Sequence, residues 1–199
     1  MMDRRTFARL SLGTLAGSTF SVPLQARDSE TLREVATGRN LLFGSAVSHP
    51  QLKRPELTEL IVRQCSILVP ENQMKWRATQ PEQDRFDFTQ ADAFMAFAES
   101  NHMLARGHNL CWHEHNPEWL EAMSTPQNAA DLLRRHIQTV AVRYKGRIHS
   151  WDVVNEAIRP EHHNPHDLTS SIWLKTIGEG YLDLAYHTAA DADPSALLT

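Results

Sequence analysis

Short apolar runs and longer amphipathic segments alternate along this chain, and most of the runs end in a polar cluster. Residues 41–46, Leu-Leu-Phe-Gly-Ser-Ala, predict a first strand. Residues 55–65 predict a helix, because Leu57, Leu60, Ile61 and Cys65 fall on one stripe. Ser66-Ile67-Leu68-Val69 predicts a second strand, which runs into Pro70-Glu71-Asn72-Gln73-Met74-Lys75-Trp76. A polar loop with Pro81 follows, and Thr89 with Asp92 predicts a capping box. Ala91, Phe94, Met95 and Ala98 mark the buried face of the second helix. Residues 103–112 contain a third strand, leading into His113-Glu114-His115-Asn116-Pro117. Thr125-Pro126 predicts the start of a third helix, with its stripe at Leu133, Ile137, Val140, Ala141 and Tyr144. Gly146 ends it. Residues 148–154 then form the fourth apolar, β-branched run, which stops at Asn155-Glu156.

Beyond Glu156 lies a polar loop, residues 159–169, that holds His162, His163 and His166. One helix is expected from about residue 171 to 190, weakened at Gly178 and Gly180. Asp193-Pro194 breaks it, and residues 196–199 start a further strand. Strand and helix alternating in this way predict an α/β fold with a parallel sheet and right-handed crossovers. A doubly wound sheet and a (β/α)8 TIM barrel both fit. No glycine-rich phosphate loop follows the first strand, which counts against a nucleotide-binding sheet. A full barrel takes about 250 residues, so a barrel reading makes this chain the first half of one: four βα units and the start of a fifth strand.

The first residues stand apart. Arg4-Arg5-Thr6-Phe7, a stretch of mostly apolar and small residues and then Gln25-Ala26 predict a twin-arginine-type signal peptide over residues 1–26. Export to the periplasm or the outside of the cell is the expectation, with no membrane attachment after the signal is removed. The net charge of −4 and the lack of a basic run exclude an obvious nucleic-acid surface. Cys65 and Cys111 each sit in an apolar stretch and are expected to be buried free thiols.

The polar clusters at the strand ends carry the chemistry. A carboxylate at the end of a buried strand is costly unless it is paired or used, and strand alternation puts Asp152, Val154 and Glu156 on one face. Carboxylates, amides, histidines and indoles at successive strand ends suit a sugar. One alternative is a metal-dependent hydrolase built on His108, His113 and His115, with Asp152 or Glu156 completing the shell. Another is a carbohydrate-binding remnant without catalysis.

Glu71-Asn72-Gln73-Met74-Lys75-Trp76, Arg106-Gly107-His108-Asn109-Leu110-Cys111-Trp112-His113 and Trp151-Asp152-Val153-Val154-Asn155-Glu156-Ala157 resemble the ordered motifs of glycoside hydrolase family ten, the barrel-fold endo-β-1,4-xylanases. Ser171-x-Trp173, Ile177-Gly178, Tyr181 and Ala192-Asp193-Pro194 continue the pattern. The resemblance implies residues 27–199 are the N-terminal half of such a catalytic domain, acting on xylan or xylo-oligosaccharides by a retaining mechanism. It implies that Glu156 is the general acid/base, a role that calls for burial and a neighbouring negative charge to raise its pKa. It implies that Glu71, Asn72, Lys75, His108, Trp112, Asn155 and His115 bind sugar. His115 stands where the family usually has glutamine, which alters the available donors and acceptors. His113 and Asp152 are expected to support the site through a hydrogen bond to each other. The family's nucleophile lies on a seventh strand, and no residue of this sequence matches it. The resemblance calls for no cofactor or metal, and implies a monomer for the complete protein.

Overall fold

The computed structural model describes residues 30–199, so the expected signal peptide lies outside the described residues. Five strands form one parallel sheet in the order β1-β2-β3-β4-β5. They are β1 (Gly44–Val47), β2 (Ile67–Pro70), β3 (Leu104–Cys111), β4 (Ser150–Val154) and β5 (Leu197–Leu198). The expected strands are all present; β1 and β2 end one residue further along than their predicted runs, and β3, β4 and β5 are shorter than theirs.

The helices are α1 (Leu32–Thr37), α2 (Pro55–Gln64), α3 (Trp76–Thr79), α4 (Thr89–Ser100), α5 (Glu118–Met123), α6 (Ala129–Arg143), α7 (Ile172–Ile177) and α8 (Tyr181–Ala192). The hydrophobic pattern missed α1, α3 and α5 because none is longer than six residues, too short for a stripe to repeat. α1 is instead held by a capping box between Thr31 and Glu34. The helix expected over residues 171–190 is two helices. Gly178 has φ of +81°, a left-handed conformation that ends α7. The capping box expected at Thr89 and Asp92 is not formed. Thr89 is already the first residue of α4, and its N–H donates to Asp87 Oδ1 at 3.0 Å. Asp92 is taken by Arg143 and by the Tyr144 hydroxyl at 3.0 Å. The third helix starts at Ala129, after a turn in which Thr125 N–H donates to Asn128 Oδ1 at 2.8 Å.

Strand alternation divides the sheet into two unlike faces. On β3 and β4, Ala105, Gly107, Trp151 and Val153 are buried in the core beneath α6 and α8. Arg106, His108 and Asp152 point to the opposite face. The register pairs Gly107 with Trp151 and His108 with Asp152. A Cβ on Gly107 would lie 2.1 Å from the Trp151 ring, so the two strands can sit side by side only because position 107 has no side chain. Cys65 and Cys111 are buried free thiols, as expected.

Behind the strand ends, Trp76 of α3 stacks on His136 of α6, with centroids 3.6 Å apart and planes 8° apart. Its other neighbour is Trp173 of α7, at 5.0 Å and 20°. This buried stack ties the segment after β2 to the helices that follow β3 and β4.

Candidate active site

All the polar clusters lie at the carboxyl ends of β2, β3 and β4, the side on which parallel α/β folds assemble sites. Glu71 N–H donates to Val47 O at 2.9 Å and Asn155 N–H to Cys111 O at 2.9 Å, so both residues continue the sheet ladder past their strands. Their side chains make no hydrogen bond among the described residues. Asn72 is positioned by its successor: its N–H donates to Gln73 Oε1 at 2.8 Å, while Gln73 Nε2 donates to Val47 O at 3.0 Å. Lys75 Nζ donates to Asn72 Oδ1 at 3.0 Å and sits 4.9 Å from the centre of the Trp112 ring. That placement is a cation–π contact.

Trp112 is the meeting point. Its indole N–H donates to Glu156 Oε2 at 3.0 Å. The His115 ring stacks on it at 5.3 Å and 6°, and His113 meets it edge-on at 5.6 Å. His108 lies 6.5 Å from it. Burial lowers the His115 pKa, and the nearby charges of Lys75 and Arg77 lower it further.

Glu156 lies two residues past the end of its strand. β4 ends at Val154, and Glu156 has φ of +51°, so the backbone is no longer extended at this residue. Its backbone carbonyl is held by the Thr169 hydroxyl. Besides Trp112, its Oε2 faces Arg159 Nη2 at 3.6 Å and His113 Nε2 at 3.8 Å. The side chain is 47% exposed, so the burial expected for it is not observed.

The expected bond between His113 and Asp152 is also absent. His113 is only 10% exposed, and its near neighbours are the carboxylates of Glu156 and, at 3.6 Å, Glu114. Burial lowers its pKa, opposed by the charge of Glu114. Asp152 turns instead to Arg106, to His108 Nδ1 at 2.8 Å and to the Thr199 hydroxyl at 2.9 Å. Burial raises the Asp152 pKa, but the hydrogen bonds from His108, Arg106 and Thr199 outweigh it and hold the carboxyl at about 2. His113 sits past the end of β3, too far along to face the middle of β4. His108, which pairs with Asp152 in register, takes the place assigned to it.

His108 is bonded to Asp152, while the His113 and His115 rings both pack on Trp112. Among the described residues no three His, Cys, Asp or Glu side chains are grouped to hold a metal ion. Arg106, Arg159 and Thr169 are contacts of the site that the sequence reading did not assign. Arg106 stood inside a quoted motif, and Arg159 lies three residues past Glu156 in a polar loop; only geometry separates either from a solvated surface charge.

Residues 31–199 match the family model described as Glycosyl hydrolase family 10. The chain belongs to that family. It is 35% identical over 158 residues to Endo-1,4-beta-xylanase 2 of Claviceps purpurea, covering 79% of this chain and 47% of that protein. It is 36% identical over 171 residues to Endo-1,4-beta-xylanase B of Thermotoga neapolitana, covering 84% and 48%. The solved structure of xylanase 10B from Thermotoga petrophila RKU-1 in complex with xylobiose superposes with a TM-score of 0.78 at 38% identity, over 84% of this chain and 51% of that one. The chain thus spans about half the length of the family 10 relatives it matches. Its five parallel strands correspond to about half of their barrel, the fold class expected from the sequence.

Proposed function

We propose that this chain carries the acid/base and part of the sugar-binding surface of a retaining endo-1,4-β-xylanase acting on xylan. The observation that supports it best is the 3.0 Å hydrogen bond from Trp112 to Glu156, on an indole that Lys75 and His115 also contact. An indole bordered by polar groups suits the C–H face and hydroxyls of a sugar ring. Glu156 protonates the departing glycosidic oxygen and later takes a proton from the attacking water. Trp112 holds its Oε2 by a hydrogen bond, leaving Oε1 for the substrate. Glu71, Asn72, Lys75, His115, His108 and Asn155 bind the sugars on either side of Trp112.

A retaining mechanism needs a second carboxylate about 5–5.5 Å from the first, and no residue of this sequence matches the family's nucleophile. The polypeptide of 199 residues therefore binds xylo-oligosaccharides without hydrolysing xylan at the rates of a complete enzyme. Calorimetric titration with xylobiose, set beside release of reducing sugar from xylan, tests both halves of the reading. Binding that weakens about tenfold in Lys75→Ala, with no turnover above that of Glu156→Ala, is the expected result. Failure to bind any xylo-oligosaccharide sinks the sugar site. Turnover that Glu156→Ala abolishes sinks the claim of inactivity. Residues 1–26 are proposed to direct export, which is read as cleavage of an N-terminal segment in secreted material.

A further inference from the structure

On the face of the sheet opposite the helices, Asp152 is a carboxylate with three partners on two neighbouring strands. Arg106 and His108 reach it from β3, and the hydroxyl of Thr199, just past β5, reaches it from the other side. Arg106 makes a two-pronged approach, with Nε at 2.8 Å from Oδ1 and Nη2 on the same oxygen. Nη2 also donates to Thr199 Oγ1 at 3.1 Å. The second oxygen, Oδ2, is left to His108 Nδ1 at 2.8 Å. The Asp152 side chain is 14% exposed, so the geometry is shielded from water.

The division of the carboxylate matters for His108. A shielded carboxylate that faces an imidazole alone draws a second proton onto the ring, because opposite charge favours the charged form. Here the guanidinium already compensates the carboxylate. An Asp152 anion can only accept, so His108 Nδ1 must carry a hydrogen. The hydrogen bond one ring nitrogen makes then fixes the state of the other. His108 Nε2 has no protein partner among the described residues, and the ring borders Trp112.

We propose that Arg106 is a positioning residue that acts through Asp152 on His108, keeping the ring neutral with its proton on Nδ1 so that Nε2 accepts a hydrogen bond from a sugar hydroxyl. An acceptor at that spot selects a hydroxyl donor, where an imidazolium selects an acceptor or an anion. The inference rests on the sugar-binding reading only for the identity of the donor. The protonation state of His108 is a property of the free chain.

Two-bond proton–nitrogen correlation spectra of the 15N-labelled chain at pH 7 test it without need of turnover. The parent shows His108 neutral, with a protonated Nδ1 and an unprotonated Nε2. Arg106→Gln moves the ring to the charged form or to mixed tautomers, and Arg106→Lys, which retains the charge, restores the parent pattern. Circular dichroism confirms that each variant is folded. A parent ring that is charged or carries its proton on Nε2 overturns the proposal, as does an Arg106→Gln spectrum identical to the parent's. Xylobiose added to the parent shifts the Nε2 signal, and its affinity falls about tenfold in Arg106→Gln. The expected tautomer with no response to xylobiose leaves the Arg106 relay standing and counts against the sugar reading instead.

Discussion

The two faces of the sheet obey different rules. Beneath α6 and α8, β3 and β4 bury Ala105, Gly107, Trp151 and Val153, and stability there comes from excluding water and filling space. On the other face and at the strand ends, Arg106, His108, Asp152, Trp112 and Glu156 are held by directed bonds and keep part of their surface open. Glu156 is the extreme case at 47% exposure. The first face fixes where the strands run. The second uses that fixed frame to aim side chains, so changes on it cost function before they cost stability.

Acid gives the largest contrast. His136, buried in the stack with Trp76, has its pKa pushed down by burial to about 3, from 6.5 when free. The unfolded chain therefore binds a proton that the folded chain refuses. The contribution is intact above pH 6.5 and is lost as pH falls from 6.5 towards 3. At about 1.4 kcal/mol per unit, the loss reaches roughly 4–5 kcal/mol at the bottom of that window. Asp152 adds a second window: depressed to about 2 from 3.8, its contribution is intact above 3.8 and fades below it. Urea midpoints measured every half unit of pH should fall across the first window in the parent, and the slope should flatten in His136→Gln.

Gly107→Ala comes next. Its Cβ would enter the Trp151 ring, so a loss of about 3 kcal/mol or more is expected, seen as a lowered Tm or as insoluble protein. A smaller loss, about 1.5–3 kcal/mol, is expected for Asp152→Asn, which removes the charge from four hydrogen bonds to three partners but no apolar volume. The smallest effect on stability belongs to Glu156→Gln. It lies within about 0.5 kcal/mol of the parent by urea titration, as for surface positions. A large destabilisation by Glu156→Gln would erase the contrast between the faces.

The legible part of the fold follows the same division. Runs such as residues 66–69 and 148–154 announced the strands, because burial leaves a local, periodic mark. The polar clusters were legible as clusters, since a carboxylate at a strand end is anomalous wherever it points. What they touch was not. Asp152 bonds Arg106 and His108 across more than forty residues of sequence and Thr199 from the other side, and no period links such partners. The pairing of Asp152 with His113 failed because adjacency of strands was read without register. The left-handed backbone at Glu156 was not legible either, because no local pattern in Asn155-Glu156 marks it. The single helix expected over residues 171–190 failed because two glycines acted as a stop rather than as a weakness.

The buried aromatic stack has an optical consequence. Trp76 and Trp173 lie 5.0 Å apart and nearly parallel, close enough for their excited states to couple. Trp112, beside Glu156, lies outside the stack, though its carbonyl accepts the Trp173 indole N–H. An exciton couplet in near-ultraviolet dichroism that Trp76→Phe and Trp173→Phe each remove, while Trp112→Phe leaves it, would report docking of α3 against α7.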